Sequence, residues 1–174
     1  MSDEQVHEFE TKQFIVFSLG DEQFGIDSLK ITTIDRMKVI TRVPKTPNFV
    51  KGVINLRGDI IPVMDLRAKF NLPSIEETEE TRIIILKLEE ISIGVVVDQV
   101  LQTIQLTSDA IESASSLINS TDSDYILGIG KVDGEIVTLL NFEKLVKLWL
   151  KFKYWGISND NKFWRIKPFA IRCA

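Results

Sequence analysis

The stretch GVINLRGDIIPVMDLR (Gly52–Arg67) recurs later in the chain as GIGKVDGEIVTLLNF (Gly128–Phe142). Each copy predicts two β-strands joined by a tight turn, because β-branched runs flank a dipeptide that ends in glycine. The glycines and most apolar positions agree between the copies. The tip differs, since Asn55-Leu56-Arg57 in the first copy is replaced by Lys131-Val132-Asp133 in the second.

The residues that precede each hairpin repeat as well. FIVFSLGDEQFGIDSLKITTI (Phe14–Ile34) aligns without a gap with IIILKLEEISIGVVVDQVLQT (Ile83–Thr103). A repeat of this kind indicates one structural plan used twice. Each half therefore predicts strand, turn, strand, longer connection, strand, turn and strand. Gly58 and Gly134 supply the positive φ that the second turn of each half needs.

Eight or more short strands in two equal sets predict a mainly β protein made of two small barrels packed together. Four or five strands cannot bury both faces of an open sheet, and closure removes the exposed edges. A barrel of about 65 residues is marginal alone. We therefore expect two halves, roughly residues 13–80 and 81–146, to share an apolar surface and to unfold together. Short helices are predicted near Thr107–Ile118, capped by Ser108, and after Asn141.

The composition indicates a soluble, globular protein, with 44% hydrophobic residues and mixed charge in 174 residues. Residues 1–12 are expected to be a flexible N-terminus, and they show no secretory signal. No apolar run approaches the roughly 18 residues needed to span a bilayer. A single cysteine, Cys173, excludes an intramolecular disulfide and a multi-cysteine zinc site. A cytoplasmic location without membrane insertion is therefore expected.

The charge is distributed unevenly. Residues 147–174 carry seven of the 21 Lys/Arg and one of the 25 Asp/Glu, so residues 1–146 hold 14 basic and 24 acidic groups, a balance of −10. An acidic body argues against nucleic acid as a partner, because phosphate neutralisation supplies most of that affinity. Residues 147–174 are interpreted as the end of a helix followed by an atypical basic tail. A partner or membrane-surface segment and a non-native sequence both stay open for this tail.

Residues for catalysis are scarce. The single histidine, His7, lies in the polar N-terminus, and Cys173 has no histidine near it in the sequence. The glycine cluster GIGKVDG leads into a strand and not into the helix that would hold a phosphate. We expect no metal and no cofactor, and for Asp65 and Asp98 a strand-end cap or a salt bridge. An enzyme using a carboxylate pair is the alternative from another functional class.

Arg57 is the residue of the hairpin tip that attracts most interest. The planar fork of arginine makes several directed hydrogen bonds and is enriched at protein interfaces. Asn55 can bond local backbone or a partner. Two interpretations stay open: Arg57 binds a partner, or it pairs with Asp59 or Asp65 and holds the turn.

The block Phe14–Ile34, followed by VPKTPNFVKGVINLRGDIIPVMDLR and later by ISIGVVVDQVLQTIQL, resembles the CheW family of bacterial chemotaxis adaptors. The resemblance runs from about Gln13 to Val146, and its most specific part is FVKGVINLRG (Phe49–Gly58). After Lys147 the chain departs from the family, which usually closes with a short polar or amphipathic helix. Any C-terminal contact therefore stays open.

The resemblance implies two SH3-like five-stranded β-barrels around a shared hydrophobic core, without catalytic activity. It also implies a function: such adaptors couple the cytoplasmic tips of transmembrane, methyl-accepting chemoreceptors to the regulatory domain of the histidine kinase CheA, in membrane-bound receptor arrays. Two related alternatives are a CheW-like regulatory module of a larger kinase and part of a CheV-type protein.

The resemblance further implies two sets of contact residues. One set would bind the receptor in a groove between the barrels: Asn55, Arg57, Gly58, Ser28, Arg82, Gly94 and Val100. The other would bind the kinase on the outer face of the first barrel: Ile31, Thr33, Met37, Val39 and Gly52. Gly52 has a second interpretation, as a backbone position at which a Cβ would clash.

Overall fold

A computed structural model of the chain describes residues 9–114 and 124–147. The expectations for residues 1–8, for the last part of the predicted helix near Thr107–Ile118, and for the tail from residue 148 lie outside these residues. The first strand begins at Thr11, so residues 11 and 12 belong to the fold and not to a flexible terminus. No helix within the described ranges is long and apolar enough to cross a membrane.

Ten strands and a few short helices form the fold over residues 9–114 and 124–147, in agreement with the prediction of eight or more strands. Gly58 and Gly134 have the expected positive φ, at +87° and +80°. A 3₁₀ turn at Ser28–Lys30 links β2 to β3, and another at Ser108–Ala110 follows β8. The elements are β1 Thr11–Leu19, β2 Glu22–Asp27, β3 Ile31–Arg36, β4 Val50–Leu56, β5 Asp59–Asp65, α1 Leu66–Lys69, β6 Arg82–Leu88, β7 Ile91–Val97, β8 Gln99–Thr107, β9 Ile126–Val132, β10 Glu135–Leu140 and α2 at residues 142–147.

The strands form two five-stranded sheets, and each sheet contains a different set of strands from the one expected. The first sheet has the order β8-β1-β2-β10-β9 and the second the order β3-β6-β7-β5-β4. The repeat makes β1, β2, β3, β4 and β5 equivalent to β6, β7, β8, β9 and β10, so the two orders are the same under exchange of the halves. Each half contributes two strands to one sheet and three to the other. The expectation that residues 13–80 and 81–146 each close one barrel is therefore wrong.

The connection after the second strand of each repeat explains this exchange. A two-residue turn at Gly20-Asp21 joins β1 to β2 and forces them to pair as a hairpin. The link from β2 to β3 is a 3₁₀ turn instead, capped by the Asp27 carboxylate, which accepts from Leu29 N at 2.9 Å. This turn directs β3 away from β2, and β3 pairs with β6 of the other half.

Apolar side chains form three clusters. One lies between the two sheets and includes Phe17, Phe24, Met64 and Leu86. The others lie within the sheets, around Phe14 and Leu139 in the first and around Val63 and Ile83 in the second. The predicted shared core is thus present. The predicted helix after Asn141 is confirmed in its described part and packs into this core, through Phe142, Leu145 and Val146.

A single β-bridge joins the two edges of each sheet. Thr41, beyond β3, exchanges two 2.9 Å hydrogen bonds with Val53 of β4. Glu112, beyond β8, bonds Ile129 of β9 in the same way, at 2.9 and 2.8 Å. The helix predicted over Thr107–Ile118 is therefore wrong in its described part, because after one 3₁₀ turn the backbone becomes extended and closes the sheet.

Candidate functional site

The β4–β5 turn presents the tip residues that the sequence singled out. Arg57 and Gly58 have φ of +52° and +87°, which are the two positive values of a type I′ turn. The Asn55 side chain supports this turn, since its Oδ1 accepts from Gly58 N at 2.9 Å. The equivalent turn holds Asp133 at φ +51°. Asp-Gly is a preferred sequence for this turn whereas Arg-Gly is not, so the first hairpin carries the less favourable residue.

The Arg57 side chain is exposed and makes no hydrogen bond or ion pair with any residue that the structure describes. Asp65 is used elsewhere, because its carboxylate caps α1 by accepting from Arg67 N at 2.9 Å and Ala68 N at 3.3 Å. The alternative in which Arg57 holds its own turn by pairing with Asp59 or Asp65 is therefore wrong. The guanidinium is available to a partner.

The charge of Arg57 influences the pKa of Asp35, a carboxylate near the end of β3. The hydrogen bond from Lys38, at 3.0 Å, is the main reason why the pKa of Asp35 lies below its usual value. The Arg36 backbone N–H adds to this effect at 2.9 Å, and the charge of Arg57 contributes in the same direction. The tip of the β4–β5 hairpin and the end of β3 thus lie near each other, although they are distant in the sequence.

The remaining predicted receptor residues are spread over both sheets. Arg82 begins β6 in the second sheet, and Val100 lies half-buried on β8 in the first, against the core between the sheets. Ser28 lies in the 3₁₀ turn and donates its hydroxyl to Gln13 Oε1 at 3.3 Å. Gly94 is buried in β7, where a Cβ would lie 3.1 Å from an Ile83 methyl carbon. Gly94 is therefore covered by neighbouring side chains, and its receptor contact stays a prediction.

The predicted kinase residues lie along β3 and its continuation. Val39 is 92% exposed, and Met37 is half-buried beside it. Thr33 is also half-buried, whereas Ile31 packs against the core between the sheets. Met37 and Val39 line an open depression together with Lys38, Ile40, Lys51 and Glu77.

Gly52 has a structural role in closing the second sheet. It is buried at φ +148°, and a Cβ there would lie 2.1 Å from the Thr41 carbonyl oxygen of the closing bridge. A side chain at this position would prevent Thr41 from bonding to Val53. The interpretation based on a Cβ clash is confirmed, whereas the kinase contact at Gly52 stays a prediction.

The carboxylates considered for catalysis have structural roles, as predicted for Asp65 and Asp98. Asp98 accepts from Arg67 Nε at 2.8 Å, from Arg67 Nη2 at 2.5 Å and from Gly20 N at 2.7 Å. The bonds from Arg67 are the main reason why the pKa of Asp98 is lowered, and they raise the pKa of Arg67. Within the described residues no cluster of three His, Cys, Asp or Glu is placed to hold a metal ion.

Two exposed apolar residues near the tip were not singled out from the sequence. Ile34 on β3 is 37% exposed and Ile60 on β5 is 38% exposed, and Ile60 lies opposite Asn55 in the hairpin. Isoleucine in a strand is normally assigned to a core, so their exposure could be found only from the pairing.

Comparison with known proteins places the chain in a family. The family model for the CheW-like domain matches residues 13–148. The chemotaxis protein CheW of Klebsiella aerogenes is 37% identical over 135 residues, which cover 78% of this chain and 81% of that protein. CheW of Bacillus subtilis is 34% identical over 130 residues, covering 75% and 83%.

A solved structure agrees with these sequence relatives. The scaffolding protein TtCheW from Thermoanaerobacter tengcongensis superposes with a TM-score of 0.70 at 31% identity, covering 80% of this chain and 90% of that one. These relatives are named as chemotaxis and scaffolding proteins. The chain belongs to the CheW-like domain family.

Proposed function

We propose that this protein is a non-catalytic adaptor that couples the cytoplasmic tips of transmembrane chemoreceptors to a CheA-type histidine kinase. It would act in the cytoplasm and be recruited to receptor arrays at the membrane. The relatives named as chemotaxis and scaffolding proteins support this proposal. Its partners are proteins, and its activity is to place them relative to each other.

The observation that carries the proposal is the backbone conformation of Arg57, together with its exposed and unpaired side chain. A non-glycine residue in the left-handed region costs of order 1 kcal/mol, and Arg57 has φ +52° with no hydrogen bond or ion pair in the described residues to offset that cost. The equivalent residue of the second hairpin is Asp133, which suits the turn. A residue that suits its turn poorly and points into solvent is typical of a binding contact.

Two surfaces would serve the two partners. The receptor tip would contact Asn55, Arg57 and Gly58, with Arg82, Ser28 and Val100 on the walls of the groove. The kinase regulatory domain would contact the strip from Thr33 to Val39, whose last residue is almost fully exposed. By holding both partners, the adaptor would let a shift of the receptor tip bias the equilibrium of the kinase with little movement of its own.

Each contact needs only moderate affinity. An interface of about 800 Å² per partner with a few anchoring residues supports roughly micromolar binding. Several such contacts in an array then gain strength by avidity and stay exchangeable.

The kinase contact can be tested by calorimetric titration with the regulatory domain of a CheA-type kinase from the same organism. Val39→Asp is the informative variant, since Val39 is 92% exposed and its replacement leaves the core intact. Ile31→Asp would place a charge against the core and could fail through misfolding. Ile75→Asp, in the exposed connection before β6, is the matched control. We expect saturable one-to-one binding that Val39→Asp abolishes and Ile75→Asp preserves; equal binding by both variants would contradict the kinase face.

The receptor contact can be tested with Arg57→Asn, because asparagine suits a type I′ turn better than arginine. We expect this variant to lose binding to the cytoplasmic hairpin of a chemoreceptor from the same organism. The free energy of unfolding should be unchanged or raised by up to about 1 kcal/mol. Asp133→Asn is the matched control at the equivalent position and should bind as the wild type does. Undiminished binding of Arg57→Asn would refute the assignment of the tip.

A further inference from the structure

The open depression beside the continuation of β3 contains a carboxylate from a distant part of the chain. Five of its lining side chains come from the residues after β3 and from β4: Met37, Lys38, Val39, Ile40 and Lys51. The sixth is Glu77, which belongs to the connection between α1 and β6. The chain thus places one of its own negative charges at the surface proposed for the kinase.

Apolar side chains of this depression are partly available to a partner. Met37 and Ile40 are half-buried and pack against the apolar cluster of the second sheet. Val39 is 92% exposed, although valine is among the residue types most often buried in proteins. A partner that covers Val39 with an apolar side chain removes this surface from water, which favours association.

The two lysines of the depression are held unequally by carboxylates of the same chain. Lys38 Nζ lies 3.0 Å from Asp35 Oδ2, which is the distance of a hydrogen-bonded ion pair. Lys51 Nζ lies 4.0 Å from Glu77 Oε1, which is too far for a hydrogen bond. The side chains of this second pair are 31% and 52% exposed, so water screens their attraction. Lys51 is therefore the ammonium group that a carboxylate of a partner can take over more easily.

The segment that carries Glu77 is anchored at both ends and weakly held between them. At one end the Pro73 carbonyl oxygen accepts a 2.7 Å hydrogen bond from the arginine of α1. At the other end Thr78 N donates to Oγ1 of the buried Thr81 at 2.9 Å. Residues 74–77 are exposed and make no hydrogen bond with any residue that the structure describes. Their one ion pair in this part of the chain joins Glu77 to Lys51, so the segment can leave the depression while both anchors stay in place.

We infer that residues 74–77 compete with the kinase: Glu77 occupies Lys51 in the free adaptor, and a carboxylate of the kinase regulatory domain takes its place when the two proteins bind. This inference rests on the proposed function and deepens it, because it adds a control of affinity and names the chemistry of the kinase surface. That surface presents an apolar side chain to Val39 and a carboxylate to Lys51. The apparent affinity falls with the fraction of adaptor molecules in which Lys51 is free. Because the competing pair is exposed and weak, it moderates binding and does not block it.

Glu77→Gln is the main test, because it removes the competing charge from an exposed side chain and keeps its size. The probe is the regulatory domain of a CheA-type kinase from the same organism, titrated calorimetrically into the full chain. We expect Glu77→Gln to bind about 2- to 5-fold more tightly than the wild type at about 50 mM salt, with an unchanged Tm. At about 500 mM salt the difference should shrink to less than about twofold, since salt screens the pair. Glu76→Gln is the matched control, because it makes the same charge change in the same segment and Glu76 forms no ion pair in the described residues. It should bind as the wild type does.

A double-mutant cycle shows whether Glu77 acts through Lys51. Lys51→Gln alone should weaken kinase binding by about 2- to 5-fold, because the carboxylate of the kinase loses its partner. Adding Glu77→Gln to Lys51→Gln should then improve binding by less than about twofold, since no ammonium group is left to release. A general repulsion between Glu77 and the kinase would instead give the same gain with and without Lys51.

The outcomes separate this inference from the proposed function. Equal kinase binding by Glu77→Gln and Glu76→Gln would overturn the inference and leave the proposed function standing. The same gain from Glu77→Gln in the presence and absence of Lys51 would overturn it as well. Absence of kinase binding by the wild type would overturn the kinase part of the proposed function and this inference with it.

Discussion

Replacing Arg67 by methionine should weaken the link between the two sheets. Arg67 lies in α1, after β5 of the second sheet, and its guanidinium holds Asp98 between β7 and β8. Asp98 in turn accepts from Gly20 N in the β1–β2 turn of the first sheet. Arg67 Nη1 also donates to the Pro73 carbonyl oxygen at 2.7 Å. Methionine keeps the apolar stem of the side chain and removes the bonds that Arg67 makes to Asp98 and Pro73, whereas the bond from Gly20 N to Asp98 remains.

The structure sets the size of the effect. The side chains of Arg67 and Asp98 are 12% and 20% exposed, so the pair is neither fully buried nor at the surface. Removing one partner of a buried pair costs about 3–5 kcal/mol, whereas a surface pair contributes about 0–1 kcal/mol. Because the pair is partly solvated and Asp98 keeps its bond from Gly20 N, we expect Arg67→Met to lower the free energy of unfolding by about 2–3 kcal/mol. For a protein of this size that lowers Tm by about 5–10 °C.

Thermal and urea denaturation of the full chain measure this loss, with an unchanged urea m-value showing that the fold is retained. The repeat supplies a matched control. Glu143 occupies the position in α2 that Arg67 occupies in α1, and it pairs with Lys30 at 3.4 Å with side chains 34% and 52% exposed. Lys30→Met should therefore cost less than about 1 kcal/mol. Equal losses for the two variants, or a loss below about 1 kcal/mol for Arg67→Met, would refute this account.

Three further outcomes are expected. Gly52→Ala should lower the free energy of unfolding by about 4 kcal/mol or more, because its Cβ would lie 2.1 Å from the Thr41 carbonyl oxygen. Gly58→Ala meets nothing within 4 Å and should cost only the strain of its positive φ, about 1–2 kcal/mol. Urea denaturation of the two variants compares these losses. Asp98 has a lowered pKa in the folded state, so its contribution to the free energy of unfolding is complete above the unfolded pKa of about 3.9 and is lost as the pH falls through the folded pKa. Acid titrations should therefore show a steeper loss of stability for the wild type than for Arg67→Met. Because each sheet contains strands of both halves, calorimetry should show one cooperative transition over the β domain, and two separate transitions would contradict the strand exchange.

Local chemistry made most of the strands predictable. The turns at Arg57-Gly58 and Asp133-Gly134 were identified because few residues tolerate a positive φ, and the structure has them. The helix after Asn141 was identified from apolar residues at helical spacing, and Phe142 and Leu145 are buried as expected. The helix near Ser108 was wrong because closing a sheet at Glu112 overrides the helical propensity of the segment.

Pattern alone could not show which of the predicted site residues are buried. Gly52 and Gly94 resembled contact residues in the sequence, and both are buried beneath neighbouring backbone or side chains. Ile31 faces the core, whereas Ile34 on the same strand is exposed. The register shift between Ile31 and Thr33 pairs Ile31 with Leu86 and Ile34 with Ile84, which lie on the same face of β6. How far the core covers that face along the strand therefore decides which of the two isoleucines is exposed, and only the tertiary structure shows it.

The sequence by itself determined the repeat, the strands within it and the exposed tip at Arg57, because these depend on turn chemistry and on residues close together in the chain. The tertiary structure alone decided how the halves exchange strands and which distant residues lie side by side. Arg36 and Arg82 become cross-strand partners only because β3 pairs with β6 of the other half. The bridge between Thr41 and Val53 brings the β4–β5 hairpin beside the continuation of β3. Such long-range pairings minimise the free energy of the whole chain, and no local pattern records them.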